Sequence, residues 1–142
     1  MKMISSPKIL STLVSLLFIA LAIGSSSDSA TEEEISSQDP AYQVTAAQLY
    51  ADYETNGVAA DQKYKGKVIL VVGEVENIDR DIMDDIYVTL ATGELIGSVQ
   101  CMFSESHANE ASALRKGQRI AIKGKCDGQM MNVILRGCSI GN

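Results

Sequence analysis

The sequence is poor in the residues on which nucleic-acid interfaces depend. It has no tryptophan, two phenylalanines and five tyrosines, and its 12 lysines and arginines are outnumbered by 18 acidic residues. Proteins that bind single-stranded nucleic acid stack bases on aromatic rings above a basic groove, and phosphate neutralisation supplies much of their affinity. The composition therefore disfavours a nucleic-acid partner.

Candidates for catalysis are equally few. The chain has one histidine, His107, and the nearest possible nucleophiles in sequence are Ser104 and Ser106. Serines at the start of a predicted helix cap that helix far more often than they attack a substrate. We therefore predict no catalytic residue, no enzymatic activity and no cofactor.

The negative charge is confined to the first part of the chain. Residues 25–62 contain eight acidic side chains and no lysine or arginine, whereas residues 63–142 contain ten of each sign. A chain of 142 residues accommodates one domain and a tail. We therefore expect a nearly neutral domain that follows an acidic leader.

The N-terminus carries the features of an export signal. Lys2 and Lys8 precede the apolar run "ILSTLVSLLFIALAIG" at residues 9–24. As a helix this run would span about 24 Å, short of the ~30 Å hydrocarbon core of a bilayer. We predict that residues 1–24 are a signal peptide, cleaved after Gly24 or Ser27.

An uncleaved membrane anchor is the alternative for residues 1–24. Either reading predicts an exported protein, periplasmic or extracellular, that touches a membrane only through residues 9–24 and only if they are retained. No cysteine directly follows the apolar run, so lipid attachment has no acceptor there.

The next segment is rich in serine and acidic residues. Residues 25–40, "SSSDSATEEEISSQDP", contain one large apolar side chain, Ile35. Such a composition cannot bury enough surface to offset the entropy of ordering. We predict a disordered tether over residues 25–44 and a folded domain over residues 45–142.

The folded domain begins with a predicted helix and continues as strands. Thr45 is a candidate N-cap for the helix in "AAQLYADYETNG", and Asn56-Gly57 is a stop signal. Asp127-Gly128 predicts a tight turn between the last two strands. The predicted strands are residues 66–78, 85–92, 95–103, 118–126 and 130–140, with a short helix within residues 104–117.

Five strands with one helix between the third and the fourth predict a mainly β protein with the OB-fold, a small Greek-key barrel. Gly73 lies inside the first strand, where a glycine weakens pairing. The first strand of such a barrel is long and must bend, and a glycine allows a kink or bulge at that point. The glycine is therefore interpreted as structural.

Four segments resemble a family of exported bacterial OB-fold proteins described as tRNA-anticodon-binding-like. They are "AAQLYADYETNGVAADQKYKGKVILVVGEV", "VQCMF", "LRKGQRIAIKGKCDG" and "VILRGCSI", and the resemblance extends over residues 45–140. It implies export and a helix-plus-barrel layout. The family's name reflects a relationship of fold and implies no tRNA binding, so no functional residue is transferred from it.

OB-folds bind their ligands on the face of strands two and three. Alternation along these strands predicts an outward set with one aromatic ring and no positive charge. That set is Tyr87, Thr89, Ser98, Gln100 and Met102. We predict that this face binds a protein or peptide partner in the cell envelope, with a small ligand or an oligosaccharide as the alternative.

Two charged groups are weaker candidates. Asp79, Asp81, Asp84 and Asp85 fill the loop between strands one and two, and Ca²⁺ prefers several oxygens at close range. Aspartates are also common in solvated turns, so no metal site is predicted. Three basic residues with the same parity on strand four could meet an anionic partner, or could form a solvated face or protect an edge. They are Arg119, Lys123 and Lys125.

Three cysteines remain: Cys101, Cys126 and Cys138. An exported protein permits disulfides, and an odd number allows at most one bridge within the chain. Strands three and five are adjacent in an OB-fold, so Cys101–Cys138 is the favoured pair. Cys126–Cys138 competes less well because a regular Asp-Gly hairpin would place Cys126 opposite about residue 131. The alternative is three reduced cysteines in the core.

Overall fold

The computed structural model describes residues 31–141. The predicted signal peptide or anchor, and residues 25–30 of the predicted tether, lie outside this part of the chain. Within residues 31–141, no helix has both the length and the apolar character needed to cross a membrane.

The described chain contains four short α-helices, six strands and one 3₁₀ turn. In chain order they are α1 (Glu32–Ser37), β1 (Tyr42–Thr45), α2 (Ala46–Thr55), α3 (Gly57–Tyr64), β2 (Val68–Arg80), β3 (Ile86–Leu90), β4 (Val99–Phe103), the 3₁₀ turn (Glu105–His107), α4 (Ala108–Ser112), β5 (Arg119–Gln129) and β6 (Val133–Ile140).

The sheet closes into a five-stranded barrel. Its strand order is β1-β2-β3-β4-β6-β5, and β2 also pairs with β5. β4 and β6 are parallel, whereas the other pairs within the barrel are antiparallel. β1 is an additional strand that runs parallel to β2. With α4 between its third and fourth strands, the barrel has the predicted OB-fold architecture.

Gly73 lies where β2 changes partners. β2 pairs with β5 as far as Glu74 and with β3 from Val75 onward. A Cβ atom on Gly73 would lie 3.0 Å from the Cβ of Ala46 and 3.2 Å from the Cβ of Leu90. The glycine therefore lets α2 approach the barrel, and the register shift itself occurs after Val75.

The helical region differs from the prediction by one element. The Thr45 hydroxyl accepts a hydrogen bond from the Gln48 N–H at 3.1 Å, so α2 begins where the sequence predicts. The Asn56 side chain then accepts from the Ala59 N–H at 3.1 Å and starts α3. Asn56 thus both ends one helix and caps the next, whereas the sequence analysis treated it only as a stop.

Part of the predicted tether is ordered. Thr31 and Glu34 form a capping box for α1, and Ile35 is only 4% exposed. Ile35 packs over Gly137 of β6, where a Cβ atom would lie 2.6 Å from the Cδ1 atom of Ile35. β1 gains its order from pairing with β2. The prediction failed here because these partners lie far away in sequence.

The turn before β6 lies later than predicted. Asp127 and Gly128 belong to β5, and Gly128 takes up its positive φ of 88° in an irregular part of the ladder. The hairpin turn is formed by residues 130–132, and Cys126 pairs with Leu135. The predicted pairing of Cys126 with about residue 131 is therefore wrong.

The three cysteines are free thiols that pack in the core. The predicted closeness of the third and fifth barrel strands is present, since Phe103 pairs with Cys138. However, no disulfide joins Cys101 to Cys138, and the core alternative describes their arrangement. Burial, followed by a hydrogen bond with the Cys101 thiol, raises the pKa of Cys138 well above its ordinary value.

Candidate partner-binding face

The outer surface of β3 and β4 brings the predicted ligand residues together. Tyr87 pairs with Met102, and Thr89 pairs with Gln100. β2 adds Asn77 opposite Thr89. The residues between them point inward and are buried, as the alternation predicts. These inward residues are Val88, Leu90, Val99, Cys101 and Phe103.

A hydrogen-bond network fixes one end of this face. The Ser98 N–H donates to Asn132 Oδ1 at 3.0 Å, and Asn132 Nδ2 donates to Gln100 Oε1 at 3.1 Å. The Ser98 hydroxyl donates to a Glu76 carboxylate oxygen. Alternation along β3 and β4 does not predict either residue, because the place of Asn132 depends on the turn at residues 130–132 and Glu76 belongs to β2.

Two residues of the predicted face are buried instead of exposed. Thr89 is 8% exposed and Ser98 is 9% exposed. The Thr89 hydroxyl has no hydrogen-bond partner among the described residues. Beside it, Gln100 Nε2 donates to the Met102 sulfur at 3.2 Å, and a thioether is a weak acceptor. The centre of the face therefore has unused hydrogen-bonding capacity.

Four large apolar side chains project from the end of the barrel beyond this network. We call Leu95, Ile96, Met130 and Met131 the apolar rim; their exposed fractions are 104, 73, 87 and 69%. Leu95 and Ile96 lie in the β3–β4 loop, and the two methionines lie in the β5–β6 turn. The sequence analysis had placed all four in strands.

The apolar rim is held in place by neighbouring elements. The Val133 N–H donates to the Ser98 carbonyl at 3.1 Å and so joins the two loops. From α2, the Tyr50 hydroxyl donates to the Ile96 carbonyl at 3.1 Å. Gln129 beside the turn donates to Glu54 of α2 at 2.8 Å. These contacts join the backbone of the two loops to each other and to α2.

A groove of about 330 Å³ separates α2 from the β3–β4 loop. Alanines and Ile96 supply its apolar walls, while Glu54 and Glu94 supply carboxylates. Burial, followed by the charge of Glu54, raises the pKa of the Tyr50 hydroxyl, and Glu94 adds to this effect. The groove thus combines apolar surface with negative charge.

The aspartate loop is organised by its own backbone. Asp81 Oδ1 accepts from the Met83 N–H at 2.8 Å and from the Asp85 N–H at 3.0 Å. Asp79 accepts from the Arg80 N–H, and Asp84 pairs with the Arg80 side chain at 3.3 Å. Among residues 31–141, no group of three or more His, Cys, Asp or Glu side chains is arranged to hold a metal ion.

The predicted basic stripe, which consists of Arg119, Lys123 and Lys125, lies on β5, away from the β3–β4 face. Lys123 donates to the Gln38 carbonyl at 3.1 Å and fixes the chain after α1. Arg119 pairs in register with Glu74, and Lys125 pairs with Val68. β5 lies between β2 and β6 in the closed barrel, so it has no free edge for these charges to protect.

His107 lies at the end of the 3₁₀ turn. Its Nδ1 atom is 3.1 Å from Glu110 Oε2, which also accepts from the Ile140 N–H at 3.2 Å. The Ser104 and Ser106 hydroxyls are 3.1 Å apart. These contacts tie the end of β6 to α4.

Comparison with known proteins supports the resemblance found in the sequence. The family model described as tRNA_anti-like matches residues 1–140. A crystal structure of a putative nucleic acid-binding lipoprotein from Klebsiella pneumoniae has a similar fold, with a TM-score of 0.58 and 19% identity. The match covers 80% of this chain and 100% of that chain. No curated protein gives a significant match.

Proposed function

The chain belongs to the tRNA_anti-like family, and we propose that it is a binding module of the cell envelope whose partner is a protein or peptide segment. In this proposal the partner contacts the apolar rim and the adjoining polar network, and no reaction is catalysed. Two observations support an envelope location. Residues 1–24 resemble an export signal, and the structural neighbour is described as a putative nucleic acid-binding lipoprotein.

The apolar rim is the observation that carries this proposal. Large apolar side chains that a folded domain leaves exposed are candidates for an interaction site. Protein interfaces combine such an apolar centre with a polar, hydrogen-bonding surround. Here Leu95, Ile96, Met130 and Met131 lie directly beside the Glu76–Ser98–Asn132–Gln100 network. The same composition would suit a protein surface that is itself partly apolar.

The charge of the surrounding residues restricts the chemical class of the proposed partner. Glu54 and Glu94 line the groove beside the rim, and Glu76 belongs to the polar network. Phosphate backbones and anionic lipid headgroups would be repelled by these carboxylates. A peptide segment with lysine or arginine beside aliphatic residues would satisfy both the charge and the apolar surface.

The proposal is tested with the double variant Leu95→Ser/Met131→Ser, which removes two exposed side chains of the rim. The full-length protein is used to capture its partner from envelope extracts under low salt. We expect the double variant to lose the captured partner while keeping its melting temperature, because neither side chain is buried. Capture of the same proteins by wild type and variant would contradict the proposal.

Ile82→Ser is the matched control for that experiment. Ile82 is 104% exposed in the β2–β3 loop, at the opposite end of β3 from the rim. The substitution removes an exposed aliphatic side chain, as the double variant does, but from the β2–β3 loop. We expect this variant to capture the partner as well as wild type does.

A small ligand or an oligosaccharide remains the second candidate. It is favoured by Tyr87, whose ring shares the face with the amide side chains of Asn77 and Gln100. OB-folds use such faces for oligosaccharides. Saturable thermal stabilisation by one member of a saccharide panel, without any captured protein, would support this function instead.

A further inference from the structure

The Thr89 hydroxyl lies at the centre of the candidate face. Thr89 is 8% exposed, and its Oγ1 atom is buried without a hydrogen-bond partner among residues 31–141. A buried hydroxyl without a partner is destabilising, and folded proteins rarely retain one. Its position on a ligand face offers a reason: the missing partner can be supplied from outside.

Two residues with amide side chains lie beside Thr89 on the adjacent strands. Asn77 of β2 and Gln100 of β4 are the residues in register with Thr89 on the two adjacent strands. Neighbouring strands are about 4.8 Å apart, so a small group lying above Thr89 can reach Gln100 as well. The three residues form a row across β2, β3 and β4.

The two ends of the Gln100 side-chain amide are held unequally. Its Nε2 atom donates to the Met102 sulfur at 3.2 Å, and sulfur is a weak acceptor. Its Oε1 atom accepts from Asn132 Nδ2 at 3.1 Å. An oxygen acceptor would be a better partner for the Gln100 N–H than the thioether is.

We propose that Thr89 and Gln100 form a subsite for a carbonyl oxygen of a peptide main chain. Gln100 Nε2 exchanges the Met102 sulfur for the carbonyl oxygen, and the same oxygen accepts a hydrogen bond from Thr89 Oγ1. This inference rests on the proposed function, because the peptide that supplies the carbonyl belongs to the protein partner. The neighbouring apolar rim would hold that peptide's side chains.

The probe for this subsite is N-acetylglycine N-methylamide, a capped peptide unit with no side chain. It is titrated into the full-length ¹⁵N-labelled protein in a sugar-free detergent. We expect saturable shifts of the Gln100 side-chain amide and of the Thr89 backbone amide. The absence of any shift at these two groups would overturn the subsite.

Thr89→Val keeps the shape of the side chain and removes its hydroxyl. We expect about a tenfold loss of affinity for the probe, which corresponds to one hydrogen bond. The melting temperature should stay the same or rise, because the hydroxyl has no partner to lose. A purely structural role would instead lower the melting temperature, so unchanged affinity or a lower melting temperature would overturn the inference.

Thr92→Val is the matched control, since the Thr92 hydroxyl donates to the Gly97 carbonyl at 2.8 Å. We expect this variant to melt at a lower temperature and to bind the probe as wild type does. Methyl β-glucoside forms the second arm of the titration. If it shifts Thr89 and Gln100 more strongly than the amide does, the peptide assignment is overturned.

The outcome can be separated from that of the proposed function. Thr89→Val capturing the partner as well as wild type does, while Leu95→Ser/Met131→Ser fails to capture it, would leave the partner proposal standing and remove the subsite. Binding of the amide probe without rim-dependent capture would support the subsite and remove the partner proposal.

Discussion

At the scale of single residues, several positions are determined by the space around them. A Cβ atom on Gly124 of β5 would lie 2.6 Å from the Cys138 sulfur and 3.1 Å from the Arg136 carbonyl oxygen. Neither atom belongs to a flexible side-chain end. The free thiol in the core and the glycine opposite it are therefore one packing unit.

Gly124→Ala should destabilise the protein by about 2 kcal/mol, because overpacking a dense core forces its neighbours to move. The free energy of unfolding in urea measures this change. In the double variant Gly124→Ala/Cys138→Ala, removal of the sulfur should recover part of the loss. Additive effects of the two substitutions would contradict the packing argument.

Gly57→Ala provides the comparison for that prediction. A Cβ atom at this position in α3 would meet no atom within 4 Å. We expect this variant to be as stable as wild type or more stable by up to about 1 kcal/mol, since alanine favours the helix.

The structural role of a single residue can be predicted from the sequence when its partner is close to it in the chain. Thr45 caps α2 through Gln48, three residues away, and that cap follows from the sequence pattern. The surroundings of Thr89 depend instead on two other strands, where Asn77 and Gln100 pair with it. Alternation predicts an outward Thr89, but it carries no information on the burial of that residue, which is 8% exposed.

At the scale of elements, α1 shows how little local signal a structured segment can need. It has six residues, and helices of that length are unstable in isolation. Its stability therefore comes from the capping box and from Ile35, which packs over Gly137. The composition of the segment predicts a tether. It does not reveal the contact of Ile35 with Gly137, because Gly137 lies about a hundred residues away in the chain.

Ile35→Ala should release α1 from the barrel. We expect the free energy of opening, measured by hydrogen exchange of the α1 amides, to fall by about 2 kcal/mol, because the substitution truncates a buried isoleucine. Hydrogen exchange at Ile35 and Gln38 measures this loss, and the amides of β6 serve as an internal reference. Glu33→Ala, an exposed change in the same helix, should leave exchange unaltered. If hydrogen exchange of the β6 amides accelerated equally, α1 would not open separately from the barrel, and the prediction would be wrong.

Strands and loops differ in how well the sequence predicts them. The five barrel strands are predictable because each is a short segment rich in apolar and β-branched residues that is bounded by turn signals. The turn between the last two strands was misplaced because Asp127-Gly128 matches a hairpin signal, while the bulge in β5 absorbs it. The sequence therefore predicts a strand at Met130 and Met131 and does not indicate the apolar rim.

At the scale of the whole molecule, buried acidic protons should govern the alkaline limit of stability. Burial raises the pKa of the Cys138 thiol well above its ordinary value of 9.0. Burial also raises the pKa of the Tyr53 hydroxyl above its ordinary value of 10.0, with a contribution from its hydrogen bond to Cys126. Both groups thus keep their protons in the folded state at pH values where the unfolded chain releases them.

The sign of the pH dependence follows from these directions. Below pH 9 both states hold the protons, so these groups leave the stability unchanged. Above pH 9, and again above pH 10, only the unfolded state loses protons, and stability falls by up to about 1.4 kcal/mol per pH unit for each group. Urea unfolding between pH 7 and 10.5 measures the fall, which Cys138→Ala should make shallower. A flat profile would contradict these pKa directions.

The global architecture was the most predictable feature. The order of five strands with one helix between the third and the fourth specifies the OB-fold, and the barrel closure through β2 and β5 follows from it. The binding surface was less predictable, because it depends on loops whose ends are set by bulges and by contacts with α2. Partner identity depends on that surface more than on the fold.

The proposed function requires that a protein partner covers the apolar rim. The most direct measurement is photo-crosslinking in the cell that produces the protein, with a benzophenone side chain in place of Met131. The control places the same group at Lys116, which is exposed in the segment between α4 and β5. We expect one protein adduct from position 131, none from position 116, and loss of the adduct when Leu95→Ser is added. No adduct at position 131, or equal adducts from both positions, would contradict it.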